Sequence, residues 1–287
     1  MLNASLSGKV VVITGTTHGI GRVLARELAG AGATLELLNR NPRLAAAQVE
    51  ELVAATGNPR ISSEILDLSD FDSVRKAAKA IAKQHPVIDV LINNAGAFFL
   101  KRECNKEGVE MTFAVNFLGP FLLTRLLLPN LERSSPGRIL ITSSKAHEFA
   151  ELNLGDLAYE GGYPRMGFSA YAASKLATLL FTQELARRLD AHKVTINAVH
   201  PGVVATNIWP RHNLFWRALM RAMDLRRISP EEGARTLLYL AQSPDVEGVT
   251  GGYWFKKKLH KVGNRARNPQ LQQDLWRKAE ELCKLTN

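Results

Sequence analysis

The sequence predicts an α/β fold: a doubly wound parallel sheet of about seven strands with helices on both faces. Apolar, β-branched runs alternate with segments of helical period along nearly the whole chain. Strands that are continuously apolar belong to parallel sheets covered on both faces. Right-handed crossovers then wind such a sheet in both directions. Because the chain has no Gly-, Pro- or Ser-rich linker and no repeat, we expect one domain over 1–287.

The expected strands follow one another with a helix between each pair. They lie at 9–14, 34–39, 60–68, 88–96, 137–144 and 193–202, with a short seventh at 251–255. The expected helices run from Gly19 to about Ala31, from the second strand through Ala55, from near Asp70, and over about 106–133. In open sheets of this kind, ligands bind beyond the carboxyl ends of the strands. The residues that follow each strand are therefore the candidates for chemistry.

Composition excludes several classes of protein. With 46% hydrophobic residues, the chain can bury a large core, and nothing indicates a disordered or fibrous protein. Cys104 and Cys283 form no CxxC pattern, which favours free thiols in a reducing compartment. The N-terminus has no signal-peptide pattern. Pro120 and Arg125 interrupt the longest apolar segment, so we expect no membrane span and a cytoplasmic protein.

The first strand is followed by a glycine-rich loop, "TGTTHGIG". Glycine allows a tight turn and a close approach of the backbone to a pyrophosphate, and the next helix offers free N–H groups. The candidate cofactor contacts in this loop are Gly15, Thr17, His18, Gly19, Ile20 and Gly21. The alternative is a glycine turn that serves packing alone.

The second strand ends in Asn39 and Arg40. An acidic residue here would accept the ribose hydroxyls of NAD. A neutral side chain followed by a guanidinium favours a ribose that carries a phosphate, so we predict NADP(H). His18 is a second candidate near that phosphate. The alternative for Arg40 is a solvated surface charge.

The third and fourth strands end in further candidates for the adenosine half of the cofactor. Asp67, with Leu68 beside it, is placed to accept a hydrogen bond from an adenine amino group, or else to cap the next helix, for which Asp70 is better placed. After the fourth strand, the small residues of Asn94, Ala95 and Gly96 allow close approach to a ribose. Asn93 either joins this site or ties neighbouring loops together.

Six motifs occur in order: "TGTTHGIG", "NNAG", an asparagine in the following helix, "SS", "YAASK" and "HPGVVAT". Together they resemble the short-chain dehydrogenase/reductase family over nearly the whole chain. The segments "SKLATLLFTQELARRL", "VTINAVHPGVVAT" and "LWRKAEEL" resemble its retinol-dehydrogenase-like branch. The resemblance implies a Rossmann-type fold, a nicotinamide cofactor, and reversible reduction of a carbonyl.

The resemblance also implies roles for particular residues. Asn116 matches the asparagine that steadies a water in the proton relay, and Ser144 matches the serine that binds the substrate oxygen, with Ser143 as an alternative. Tyr171 and Lys175 match the acid–base tyrosine and its lysine. The residues that match the loop at the nicotinamide are Pro201, Gly202, Val204 and Thr206.

The spacing of Tyr171 and Lys175 has a physical purpose in such a reaction. Four residues along a helix place both side chains on one face. An ammonium at ~4 Å favours the phenolate by roughly 4 kcal/mol at an effective dielectric of ~20, which lowers the tyrosine pKa by ~3 units. Tyr159 and Tyr163 lie nearby but have no lysine four residues later. The alternative for Tyr171 and Lys175 is a tyrosine packed in the core and a lysine in water.

Two segments are expected to shape the substrate site. The insert between Ser144 and Tyr171 is about twice as long as in shorter members of the family and forms one wall; His147 within it either lines the pocket or is a hydrogen-bonded loop residue. A Met- and aromatic-rich helix at about 207–228 is either a lid or a packed surface helix. Such a lid suits a lipophilic carbonyl.

The net charge of +10 is concentrated in two places. The lid segment carries five arginines against one aspartate, and 256–267, in a basic C-terminal extension at about 256–287, carries four lysines and two arginines without an acid. Peripheral contact with an anionic membrane and a plain solvated surface both account for this charge. Nucleic acid is excluded as a partner because no recognition motif accompanies it.

The sequence therefore predicts an NADP(H)-dependent oxidoreductase that interconverts a carbonyl and an alcohol. The expected substrate is a small lipophilic molecule: retinal-like, steroid-like, or a fatty aldehyde. The alternatives are a reductase of polar or xenobiotic ketones and a non-catalytic NADP-binding interaction protein. The sequence predicts no metal and makes no prediction of the oligomeric state.

Overall fold

The computed structural model describes residues 5–204 and 228–285. Its centre is an eight-stranded sheet in the order β3-β2-β1-β4-β5-β6-β7-β8. Neighbouring strands are parallel from β3 through β7, and β8 runs antiparallel to β7. The strands are β1 Val10–Thr14, β2 Thr34–Asn39, β3 Ile61–Ile65, β4 Val90–Asn93, β5 Gly137–Thr142, β6 Val194–Val199, β7 Tyr253–Phe255 and β8 Lys258–His260. The predicted doubly wound parallel sheet is confirmed.

Within the described residues, seven longer helices cover the sheet. They are α1 Gly19–Gly30, α2 Pro42–Thr56, α3 Phe71–Gln84, α4 Met111–Leu131, α5 Phe168–Arg188, α6 Pro230–Gln242 and α7 Pro269–Leu282. One apolar core joins α1, α2 and α6 to one face of the sheet. A larger core joins α3, α4, α5 and α7 to the other face. Burial on both faces explains why β1 is apolar from Val10 to Ile13 and β4 from Val90 to Ile92.

The aromatic residues of the larger core fix the position of the C-terminal helix α7. Phe121 of α4 packs against Phe181 of α5 with ring centroids 5.1 Å apart, and against Trp276 of α7 at 5.3 Å. Arg125 lies over the Trp276 ring and pairs with Glu280. Much of the basic C-terminal extension expected at 256–287 is therefore packed onto the body of the protein.

Several predicted elements differ from the structure; β4, for example, spans Val90–Asn93 and β6 spans Val194–Val199, both shorter than expected. The third strand ends at Ile65 rather than at residue 68, because Asp67 and Ser69 form a hydrogen-bonded turn. The long helix begins at Met111 rather than near 106, because a turn at Gly108 precedes it and Glu110 caps it. An eighth strand exists where the run of lysines indicated only a charged extension.

Helix α4 corrects one expectation about membranes. Among residues 5–204 and 228–285, it is the one helix long and apolar enough to cross a bilayer by length and composition. The interruptions at Pro120 and Arg125 do not prevent this. Most of the helix is buried inside the protein, where its side chains contact α3 and α5. Packing in the core therefore accounts for its composition.

Candidate active site

A cleft of about 710 Å³ lies at the carboxyl ends of the parallel strands. It brings together loops that are far apart in the sequence. Of the sequence-predicted residues, the following line it: Gly15, Thr17, His18, Gly19, Ile20, Gly21, Arg40, Asn94, Ala95, Gly96, Ser144 and its alternative Ser143, Tyr171, Lys175, Pro201, Gly202 and Val204. Asn39, Asp67, Leu68 and Asn116 do not line it. Thr206 and most of the expected lid lie outside the described residues.

The glycine loop turns tightly between β1 and α1. Gly15 has φ +70°, a region that favours glycine. A Cβ at Gly21 would lie 2.1 Å from the Gly15 carbonyl oxygen, so only glycine allows the loop to close on the helix. His18 stands at the N-cap of α1 without a side-chain capping bond. The first N–H groups of α1 therefore remain available for an anion at this end of the cleft.

Asn39 supports the glycine loop from behind. Its side chain is buried, its Oδ1 accepts from the Thr16 backbone N–H at 2.8 Å, and its Nδ2 donates to Thr16 Oγ1 at 2.8 Å. Gln48 of α2 completes the network by donating to the Thr16 carbonyl. The hydrogen-bonding groups of the Asn39 side chain are therefore used inside the protein, and its contact with the cofactor stays a prediction.

Arg40 lies at the surface of the cleft and is exposed. His18 lines the same end, and its Nδ1 is 2.9 Å from Thr17 Oγ1. The guanidinium and the imidazole both adjoin the free N-terminus of α1, where the helix dipole also favours negative charge. This end of the cleft is thus suited to an anion.

The loops after β3 and β4 are held by their own polar side chains. Asp67 accepts from the Ser69 N–H at 2.9 Å and hydroxyl at 2.6 Å, while Asp70 caps α3. Asn94 donates to the carbonyls of Thr14 and Gly15, which ties β4 to the glycine loop. Asn93 is buried and donates to a hydroxyl of α4, so of its two interpretations the structural one fits.

Tyr171, Lys175 and Ser144 meet at the base of the cleft. Tyr171 and Lys175 lie on consecutive turns of α5, with the ammonium 5.6 Å from the centre of the tyrosine ring. Ser144, immediately beyond β5, is hydrogen-bonded to Tyr171. Lys175 Nζ also donates to the Thr142 carbonyl at 2.9 Å, which fixes the lysine against the end of β5. The three side chains can therefore act on one reacting atom.

The neighbouring serine and tyrosines occupy different environments. Ser143 is buried, and its hydroxyl donates to the Lys175 carbonyl at 3.1 Å. Tyr163 donates to the Phe99 carbonyl at 2.9 Å and lies 2.7 Å from a carboxylate oxygen of Glu110. Neither Tyr159 nor Tyr163 lines the cleft. The geometry favours Ser144 and Tyr171 over these alternatives.

Burial governs the ionisation of both residues of the pair. It raises the pKa of Tyr171 above its usual value, although the Ser144 hydrogen bond opposes this rise. It also lowers the pKa of Lys175 to about 8. The lowered tyrosine pKa predicted from the sequence is therefore wrong for the protein alone. Loss of water around the phenolate is the main cause of the raised pKa, and the Lys175 Nζ is turned toward the Thr142 carbonyl.

Asn116 lies behind the cleft, in a π-helical turn of α4 at Ala114–Leu118. Its Oδ1 accepts from the Ala97 N–H at 2.7 Å, and its Nδ2 donates to the Ala97 carbonyl and to Ser174. The amide is thus fully used in joining α4, α5 and the loop after β4. Such π-turns are frequent at functional sites.

The substrate side of the cleft is aromatic. Phe98 packs on Tyr171 with ring centroids 5.5 Å apart. Phe149 and Phe168 pack together at 6.4 Å and line the cleft, and Phe149 is 61% exposed at its mouth. His147 lies beneath this wall and is buried, with Nδ1 bonded to the Ser144 carbonyl. It is a hydrogen-bonded loop residue, one of the two interpretations that the sequence allowed.

Comparison with known proteins gives this geometry a family. A model of the family described as short chain dehydrogenase matches residues 9–214, most of the chain. The chain belongs to the short-chain dehydrogenase family. The resemblance seen in the sequence motifs is therefore confirmed.

Relatives within the short-chain dehydrogenase family include named retinol dehydrogenases. Retinol dehydrogenase 14 of Mus musculus is 41% identical over 285 residues, which cover 94% of this chain and 84% of the relative. Retinol dehydrogenase 12 of Homo sapiens is 40% identical, with 98% and 88% covered. A solved short chain dehydrogenase from Burkholderia cenocepacia in complex with NADP is similar with a TM-score of 0.70 and 27% identity, covering 87% and 96% of the two chains.

Membership of the short-chain dehydrogenase family makes the chain an oxidoreductase that acts on CH–OH groups and uses a nicotinamide cofactor. Sequence reasoning missed several residues that line the cleft of this family member: Thr142, Lys145, Ala146, Phe149, Phe168, His200 and Val203. His200 directly precedes the "PG" pair, and Thr142 ends a strand, so their positions carried a signal. Phe149 and Phe168 lie in an insert whose fold no local pattern determines.

Proposed function

We propose that the protein interconverts a lipophilic carbonyl and its alcohol with NADP(H). The observation that carries this proposal is the meeting of Tyr171, Lys175 and Ser144 beneath an aromatic wall. The hydroxyls of Tyr171 and Ser144 are placed to bind one substrate oxygen from two directions. The apolar side chains above them favour a substrate that leaves water readily.

Each residue of the cluster has a distinct role in this proposal. Ser144 orients the substrate oxygen and stabilises the charge that develops on it. Tyr171 gives the proton to that oxygen during reduction and takes it back during oxidation. Lys175 favours the phenolate by its charge. The Asn116 backbone carbonyl holds a water through which the lysine side of the site exchanges protons with solvent.

The residues at the other end of the cleft fit a phosphorylated dinucleotide. The uncapped N-terminus of α1, the Arg40 guanidinium and the His18 imidazole suit its phosphates. The loop of Asn94, Ala95 and Gly96 leaves room for a ribose. At the far end, Pro201, Gly202 and Val204, with Thr206, would hold the nicotinamide amide. When bound, the nicotinamide supplies or accepts the hydride. Asp67 and Leu68 remain proposed neighbours of the adenine.

Two features support NADP(H) over NAD(H). No carboxylate ends β2, so the ribose phosphate meets no repulsion there, and Arg40 offers two parallel N–H donors that match a phosphate. A solved relative is described in complex with NADP. NADP preference is the part of the proposal that one substitution can test.

The proposed substrates are retinal-like, steroid-like or fatty aldehydes and ketones. The aromatic wall of Phe98, Phe149 and Phe168 supports this class, and the named relatives are retinol dehydrogenases. Polar or xenobiotic ketones are the second candidate, since Phe149 at the mouth of the cleft is largely exposed. A non-catalytic NADP-binding protein is disfavoured by the intact cluster. Peripheral contact with an anionic membrane belongs to the proposal as well.

Substrate class is tested by following NADPH oxidation over a panel of carbonyls that differ in chain length and polarity. We expect kcat/KM to rise with apolar surface, since each buried CH₂ contributes about 0.8 kcal/mol, or roughly fourfold. Tyr171→Phe is the catalytic control. A panel on which small polar ketones react fastest would favour the second candidate instead.

Cofactor preference is tested with Arg40→Ala. Loss of one charge-assisted contact to phosphate costs about 1.5–3 kcal/mol, so we expect KM for NADPH to rise at least tenfold and KM for NADH to change little. Arg133→Ala is the matched control, because Arg133 is exposed just before β5, at the opposite edge of the sheet. If KM rose equally for NADPH and NADH, Arg40 would not be the residue that binds the ribose phosphate.

A further inference from the structure

The two-stranded hairpin of β7 and β8 carries a compact group of cations. Lys256 and Lys257 form its turn, Lys258 and His260 lie on β8, and Lys261 follows. All five are exposed, as is Leu259 between them, which has 56% of its surface in contact with solvent. We name residues 256–261 the basic hairpin.

The cations of the basic hairpin differ from many others in the molecule because no carboxylate faces them. Within the part of the chain that the structure describes, none of its four lysines has an ion-pair partner. Elsewhere, exposed cations such as Lys9, Lys106 and Lys278 pair with Asp89, Asp70 and Glu281. The sequence explains the contrast, since no acid occurs between Glu247 and Asp274. The hairpin thus projects an uncompensated positive field.

The turn of the basic hairpin uses unusual residues. Lys256 and Lys257 have φ of +49° and +61°, a region that costs ordinary residues about 1–2 kcal/mol each and in which hairpin turns prefer Asn-Gly. Lysine on an edge strand is a common protection against aggregation, which explains Lys258. Protection of an edge strand does not require lysine at both turn positions. The turn therefore displays charge at the expense of local stability.

The basic hairpin adjoins the mouth of the cleft. Phe255, the residue before the turn, stacks on His200 with ring centroids 4.9 Å apart, and His200 lines the cleft. Lys256 Nζ lies 5.5 Å from the Phe255 ring centre. Because β7 is parallel to β6, the turn lies at the same edge of the sheet as the catalytic cluster. A surface bound by the hairpin would therefore lie beside the entrance to the cleft.

We infer that the basic hairpin docks the protein on an anionic lipid bilayer. Lys256 and Lys257 of the turn, with Lys261, face the headgroups. Leu259, on the opposite face of β8 from Lys258 and His260, enters the interface between the headgroups and the acyl chains. The exposed leucine within the cation cluster favours a bilayer over nucleic acid, which offers no apolar layer at its phosphates. The inference deepens the proposed function, since a bilayer holds lipophilic carbonyls. Its test requires neither cofactor nor substrate.

The test is co-sedimentation of the full chain with vesicles of phosphatidylcholine alone or with added phosphatidylserine. We expect binding to the anionic vesicles at low salt, little binding to the neutral ones, and loss of binding as salt rises. The double substitution Lys256→Asn, Lys257→Gly removes two charges and supplies the preferred turn, so it keeps the fold. At about 1 kcal/mol per lysine, its binding should be about thirtyfold weaker.

Lys76→Gln with Lys79→Gln is the matched control, because these lysines of α3 are exposed and their substitution removes the same charge. We expect this control to bind within about twofold of the wild type if the hairpin is the contact. Equal loss in both double variants would show that net charge alone drives binding, and it would overturn the inference. No binding of the wild type at low salt would also overturn it, without bearing on catalysis.

A further variant separates lipid from nucleic acid. Leu259→Ser should weaken vesicle binding about tenfold, since burying a leucine contributes about 1.5 kcal/mol or more. It should leave binding to a DNA duplex at the same salt unchanged. A duplex bound more tightly than the anionic vesicles, with no effect of Leu259→Ser on either, would overturn the bilayer as the occupant.

Discussion

Two tyrosines stand eight residues apart, one on each side of the start of α5, and they differ in their neighbours. Tyr163 donates to the Phe99 carbonyl and lies 2.7 Å from a carboxylate oxygen of Glu110. Tyr171 is bonded to a serine hydroxyl and has an ammonium 5.6 Å from its ring. Burial raises the pKa of both, but the Glu110 carboxylate raises that of Tyr163 further, whereas the Ser144 hydroxyl lowers that of Tyr171.

The surroundings of a tyrosine, and not the residue type alone, therefore determine whether it can act as an acid in catalysis. A phenolate at Tyr163 would face a carboxylate, so this hydroxyl keeps its proton. It acts as a hydrogen-bond donor that stabilises the fold. A phenolate at Tyr171 would face a hydroxyl and a cation, so its proton can leave and return. The same side chain thus serves stability in one place and chemistry in the other.

The largest expected effect is on turnover, and it separates the two tyrosines. Tyr171→Phe removes the proton donor, so kcat should fall by about 10³–10⁴-fold at an unchanged KM for NADPH. Tyr163→Phe, the matched control, should stay within about threefold of the wild type, because its hydroxyl lies outside the cleft. Steady-state kinetics on one aldehyde decide this. Comparable losses in the two variants would break the comparison.

Lys175→Met should lower kcat by about 10²–10³-fold, because the phenolate then loses its cation. The same variant should be more stable at neutral pH. Burial lowers the pKa of Lys175 from its usual 10.5 to about 8, which costs the folded state about 3 kcal/mol. The variant also loses the hydrogen bond to Thr142, which lowers its stability by about 1 kcal/mol. We therefore expect a net increase of about 1–2 kcal/mol in the free energy of unfolding, measured with urea.

The pH dependence of stability checks the same assignment. Between pH 8 and the usual lysine value, the unfolded chain binds more protons at Lys175 than the folded chain does. The free energy of unfolding should therefore rise with pH in this window, by about 2 kcal/mol between pH 8 and pH 10. Lys175→Met should lack the rise. A wild type whose stability is flat over this range would contradict a buried ammonium.

Ser144→Ala should lower kcat by about 10²-fold, since removal of one donor to a developing oxyanion has an effect of this order. Ser143→Ala removes the adjacent hydroxyl, which is bonded to the Lys175 carbonyl instead of facing the substrate. It should change kcat by less than about fivefold and lower stability by about 1 kcal/mol. If Ser143→Ala lowered kcat more than Ser144→Ala, Ser143 would be the residue that binds the substrate oxygen.

The sheet could be predicted from the sequence because burial on both faces imposes an apolar pattern on its central strands. The boundaries near Ile65 and Met111 could not, because side-chain turns at Asp67 and Asn105 set them. β8 was not predicted because its sequence lacks a strand pattern. It is an exposed edge strand held by pairing with β7, and its lysines carry no alternation of apolar and polar residues.

In the site, residues defined by motifs could be placed, while the direction in which a side chain points could not. Asn39 and Asn116 occupy the predicted loops, yet both amides turn inward because buried backbone groups at Thr16 and Ala97 need partners. The aromatic wall of Phe149 and Phe168 depends on how the long insert folds back on α5. No period within that insert encodes its path.

The smallest expected effect is on folding stability. Here Tyr163→Phe should cost more than Tyr171→Phe, the opposite of their order in turnover. Tyr163→Phe leaves the Phe99 carbonyl without its donor, while Glu110 keeps its bonds to Thr112 and Phe113. We expect a loss of about 1–2 kcal/mol in urea unfolding with an unchanged m-value, or about 2–4 °C in Tm. Tyr171→Phe should change stability by less than half of that, because a buried hydroxyl suited to catalysis contributes little to packing. If Tyr171→Phe were the less stable variant, the Tyr171 hydroxyl would also stabilise the fold. The two tyrosines would then differ only in how much each contributes to stability.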